Sequence, residues 1–108
     1  MTTAELLVQT IETAGLPIAY GSFFEDPQDP PFCVYIGNGE EQFYSDNGPY
    51  YSYRTYQLEY YFKTKNEETE DSITSALLSA GFRYERSQQD VYIESENLFV
   101  IYFLIWRI

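Results

Sequence analysis

At 108 residues, with 44% hydrophobic and 21% charged side chains, the chain has the composition of one folded domain around one core, which excludes wholesale disorder and a second core. Seventeen acidic residues against six basic ones give a formal charge of -11, a balance that repels polyphosphates and argues against ordinary nucleic-acid binding. With no histidine and one cysteine, Ser-His-Asp and Cys-His nucleophiles, Cys/His zinc cages and an intrachain disulfide all fall away.

The opening MTTAELLVQT lacks the basic and apolar regions of a secretory signal, and no apolar run is long enough to span a bilayer. The expected product is soluble and intracellular, with no membrane segment. In TTAELLVQTIETAG, Thr2 stands three residues before Glu5 in capping-box spacing, and Ala4, Leu7, Val8, Ile11 and Ala14 recur at helical intervals. Gly15 and Pro17 stop the run, so the spacing predicts a helix over Thr3 to Ala14.

PIAYGSFF has room for one short strand before EDPQDPP, whose prolines and acids make an exposed loop. FCVYIGNG is a second strand, with Phe32, Val34 and Ile36 on one face and Cys33 and Tyr35 on the other. Cys33 there reads as a small buried hydrophobe rather than a nucleophile. EEQFYSDNGPYYS mixes acids, turn residues and aromatics, and reads as a long loop or mobile hairpin tip around 38–52. YRTYQLEYYFKT is the clearest amphipathic strand: Tyr56, Leu58, Tyr60 and Phe62 face one way, Thr55, Gln57, Glu59 and Lys63 the other.

NEETEDSITSALLSAG predicts a second helix, closed by Gly81, with Ile73, Leu77 and Ala80 as its apolar stripe. Glu67, Glu68, Glu70 and Asp71 read as a solvated start favoured by the helix dipole. Two strands follow, Phe82 to Ser87 and Val91 to Trp106, joined by Gln88-Gln89-Asp90. The expected fold is therefore α+β in the order α-β-β-β-α-β-β, a mostly antiparallel sheet with both helices on one face. TAGLPIAY and SAGFRY echo each other at the two helix ends, too briefly to constitute a repeat.

From Leu98 to Trp106 the last strand carries no charge. It points Leu98, Val100, Tyr102, Leu104 and Trp106 to one face and Phe99, Ile101, Phe103 and Ile105 to the other. Two helices cover one sheet face. The second is closed by curling of the sheet, by the tyrosine-rich loop, or by a neighbouring subunit, and the apolar area favours the neighbour, with Phe99, Ile101, Phe103 and Ile105 as the expected oligomer interface.

No catalytic residue is expected. SDNGPY is a turn rather than a calcium loop, no phosphate-cradling glycine-lysine motif is present, and Glu94 and Glu96, placed on one strand face, read as solvated rather than as an acid-base pair. No metal or other cofactor is implied.

The succession TAGLPIAY, DPQDPPFCVYIG, YYSYRTYQLEYYFKTKNEETED and VYIESENLFVIYF resembles the small tail-completion, or head-tail joining, proteins of long-tailed phages and prophages, over nearly the whole chain. The resemblance implies a non-enzymatic α+β subunit forming a ring, commonly hexameric, that caps the tail tube and binds the head connector, made in the host cytoplasm and ending in the virion tail. DNA would pass through without specific binding. Glu40, Glu41 and Asp46, with Phe43, Tyr44, Tyr50 and Tyr51, are then candidates for a lumen or partner loop. The last strand departs from the family in being less polar. Two other readings stand beside it: a monomeric acidic DNA mimic that inhibits a host enzyme, and a tyrosine-lined carbohydrate-binding module sensed at Trp106.

Overall fold

A computed structural model describes residues 1–23, 28–45 and 48–107, with the backbone alone at 42–45 and 48–51. The elements run α1 (Thr3–Thr13), β1 (Ile18–Tyr20), β2 (Phe32–Ser45), β3 (Gly48–Phe62), α2 (Glu67–Ser79), β4 (Phe82–Arg86), β5 (Val91–Ile93) and β6 (Leu98–Arg107). The α+β class, the element order and the mostly antiparallel sheet are those expected from the sequence, except that the long last strand is broken into β5 and β6.

Each helix is bounded by local chemistry. Thr2 Oγ1 accepts from the Glu5 amide at 3.1 Å at the start of α1, and Asn66 Oδ1 accepts from Glu68 and Thr69 at the start of α2. At the end of α1, Gly15 takes φ 93°; its N–H reaches Glu12 O and the Leu16 N–H reaches Ile11 O, the paired bonds of a Schellman cap. Gly81 repeats the left-handed step after α2, with its N–H on Leu78 O, and the apolar residue that follows each glycine, Leu16 or Phe82, goes into the core. The faint sequence echo is thus one helix stop used twice.

The sheet order is β1-β2-β3-β6-β4, with β5 beside β4 on the same flank of β6; among the described strands only β1 and β2 are parallel. Tyr60 lies opposite Ile101, Leu58 opposite Phe103 and Tyr56 opposite Ile105, so one apolar row of β3 meets one apolar row of β6. Leu7 and Ile11 of α1 and Ile73 and Leu77 of α2 close over that face in a single core. A four-residue turn, Glu94 to Asn97, separates β5 from β6, with Asn97 at φ 56°. Asn tolerates that left-handed conformation better than most residues. Glu94 and Glu96 therefore sit exposed in a turn and not on a strand.

β2 and β3 outrun the sheet. β1 pairs with β2 only over Cys33–Tyr35, and β6 with β3 only from Thr55 on, yet the β2–β3 ladder continues to Ser45 opposite Gly48. A bulge between Gly37 and Glu40, with Gly39 at φ 100°, marks where the pair leaves the body. The segment read as a long loop or hairpin tip is strand through 38–45 and 48–52: alternation was hidden by its polar and acidic residues, while the cross-strand ladder needs no apolar face. The molecule measures 52 × 28 × 26 Å with a radius of gyration of 15.0 Å, against about 13 Å for a compact chain of this length.

Candidate functional site

The expected oligomer interface is not on the surface. Ile101, Phe103 and Ile105 are completely buried beneath the helices. Phe99 is half-buried, stacked on Phe62 at 5.5 Å and against Tyr92 at 4.9 Å. The alternation along β6 was read correctly, but the helices cover the face that was assigned to a neighbour. The register supplies the reason: that row aligns with Tyr56, Leu58, Tyr60 and Phe62, whereas the other row faces the polar side of β3.

The sheet face without helices is built from Phe32, Val34 and Ile36 of β2, Tyr53, Thr55, Gln57, Glu59 and Tyr61 of β3, and Leu98, Val100, Tyr102, Leu104 and Trp106 of β6. Along its middle, Gln57 Nε2 donates to Glu59 Oε2 at 3.2 Å and the Tyr61 hydroxyl donates to Glu59 Oε1. Burial, then this bond to a carboxylate, pushes the Tyr61 phenol above its ordinary range. One end of the face is closed by the chain itself: Phe23 packs edge-on against Phe32 at 5.4 Å, Phe32 stacks on Tyr61 at 5.1 Å, and Val34 and Val100 are buried. At the other end Ile36, Tyr102, Leu104 and Trp106 remain half-exposed, with Trp106 6.4 Å from Tyr53. Large neighbouring side chains on this twisted surface bury part of each other. The exposed patch expected of Phe99, Ile101, Phe103 and Ile105 does not form.

Glu40 and Glu41 are exposed on the hairpin arm, at the register positions of Arg54 and Tyr53. Phe43 lies opposite Tyr51 in the ladder, and Tyr44 and Tyr50 are on the same strands; Asp46 lies outside the described residues. The arm thus brings six of the seven candidate loop residues together as backbone positions of one hairpin.

Glu70 departs from its expected solvation. Its side chain is 5% exposed, within 2.8 Å of Lys65 Nζ and 3.0 Å of Arg86 Nη2, and Asp90 joins both cations at 2.9 and 3.4 Å. The spacing Glu70, Ile73, Leu77 puts it on the buried stripe, a signal that was legible but was overridden by the run of acids around it. Lys65 is held more basic than usual chiefly by its bonds to Glu70 and Asp90. Cys33 is fully buried, and desolvation pushes its thiol up to about 12, consistent with the expected apolar role.

Among the described residues, no three His, Cys, Asp or Glu side chains converge as a metal site requires, and no helix is long and apolar enough to cross a membrane. The missed residues of interest are Arg83, exposed on β4, and the half-open row Tyr102, Leu104 and Trp106. Compared with protein-family models and with curated proteins, the sequence matches none.

Proposed function

We propose that this chain is a non-catalytic structural subunit that self-associates into a ring and completes a phage tail, meeting the tail tube on one side and the head connector on the other. The observation that carries the reading is the arm formed by Glu40–Ser45 and Gly48–Arg54, whose strands pair with each other and with no third strand among the described residues. A two-stranded hairpin is marginal in water, and its open edges invite pairing with another chain. A partner that orders such an arm gives it a purpose that an isolated monomer does not. The half-exposed Ile36, Leu104 and Trp106 add apolar area for the same association, and the sequence resemblance supplies the tail context. The protein would assemble in the host cytoplasm and remain in the virion tail.

Light scattering behind size exclusion, with negative-stain microscopy of the protein alone and mixed with tail-tube subunits, tests it. Uniform rings that seat on tube ends are expected. A monomer throughout the micromolar range that also ignores tube ends would overturn the reading.

A further inference from the structure

We infer that the acidic β2 edge of one copy's arm adds as a strand to the β4 edge of a second copy. This deepens the self-association reading and rests on it. Two copies of a chain with formal charge -11 repel one another, so a contact is favoured where the local sign reverses. That place is β4. Of the six basic residues, Arg83 and Arg86 belong to β4 and Arg107 lies opposite Phe82, its first residue. Arg86 is engaged by Glu70 and Asp90, and Arg107 Nε donates to Ala80 O at 3.1 Å. Arg83 is exposed and forms no ion pair with any described residue.

The backbone of β4 is suited to the addition. Ser87 N donates to Tyr102 O at 2.8 Å, so it bonds inward to β6. By strand alternation Glu85 and Arg83 also bond toward β6, while Tyr84 and Arg86 turn their N–H and C=O groups to the open side. On the donor, Glu40 and Glu41 are exposed and are likewise in no ion pair with a described residue. Their strand, Glu40–Ser45, reaches about 20 Å and β4 about 17 Å at ~3.3 Å per residue, so the two edges match in length. Giver and receiver are different surfaces of the same chain. Each copy therefore donates one arm and accepts another, a contact that, passed head-to-tail, builds a ring where the rotation between neighbours closes. This assigns Glu40 and Glu41 to the subunit contact in place of a DNA-facing lumen.

The test is a charge swap read by sedimentation velocity and light scattering, with circular dichroism and melting curves confirming that each variant folds. Arg83→Glu alone, and Glu40→Lys with Glu41→Lys, each weaken wild-type association about tenfold or more. The chain carrying all three changes, and an equimolar mixture of the two deficient variants, both recover it. Hydrogen exchange at Tyr84 and Arg86 slows on association of the wild type. A wild type that associates while the variants associate equally well, or a triple variant that stays dissociated while folded, overturns the docking and leaves the ring reading standing. A wild type that is monomeric at every concentration overturns the docking, and one that also ignores tube ends removes the ring reading with it.

Discussion

The Glu70 cluster yields an asymmetry that can be worked out in advance. Replacing Arg86 by Met keeps most of the apolar stem of the side chain and removes one of two cations from a carboxylate that is 5% exposed. Stranding a buried charge completely costs about 3–5 kcal/mol. Here Lys65 remains 2.8 Å away, and Arg86 and Lys65 are themselves 36% and 44% exposed, so solvent screens much of each interaction. The single variant should lose about 1–2 kcal/mol, and Lys65→Met with Arg86→Met about 3–5 kcal/mol, because Glu70 then has no cation. Glu70→Met should cost about 1 kcal/mol or less, since both cations keep Asp90 and an apolar side chain joins Ile73 and Leu77. At roughly 5 °C per kcal/mol the three melting temperatures separate cleanly.

Urea titrations at pH 7 measure the three losses. Equal losses for Glu70→Met and the double variant would refute the view that a buried acid is held in place by its cations.

Further outcomes follow from the same geometry. Ile101→Ala and Phe103→Ala should each cost about 2–5 kcal/mol in urea unfolding while leaving the association state of the surviving folded protein unchanged, because both residues are core; an oligomer that dissociates without loss of stability would return them to an interface. Cys33 should resist alkylation in the native state and react readily in urea. Its thiol and the Tyr60 phenol are both raised to about 12 by burial. Their stabilising effect is complete below their unfolded values, about 8.5 and 10, and is lost as pH rises through those values toward the folded ones. The urea midpoint should therefore fall from about pH 9 upward, and Cys33→Val should flatten the first part of that decline. Gly39→Val should destabilise by more than 1 kcal/mol, since φ 100° at the bulge is hostile to a β-branched residue; an unchanged melt would mean the bulge relaxes freely.

Much of this architecture was legible from local chemistry. The cap at Thr2 and the Ala-Gly stops are carried within a few residues of each helix end, and alternation separated the two rows of β3 and of β6 without any tertiary knowledge. Which row of β6 becomes core was not legible from β6 itself, because both rows are apolar; it depends on alignment with β3, a contact across nearly half the chain. The arm was obscure for a related reason. Its ladder is backbone hydrogen bonding, and the mixed sequence of acids, turn residues and aromatics shows no clean alternation that would announce it. Arg83 was overlooked because its significance lies in the scarcity of cations elsewhere and not in any motif around it.

β6 occupies the middle of the sheet yet is synthesised after every strand it joins. Until Leu98–Arg107 emerges, β3, β4 and β5 have no strand to join them, because each meets the others only through β6. Cooperative folding of this sheet is consequently deferred until Leu98–Arg107 has been made, and a ribosome paused before Leu98 would display open strand flanks on β3 and β4 to whatever chaperone or sister chain stands nearby.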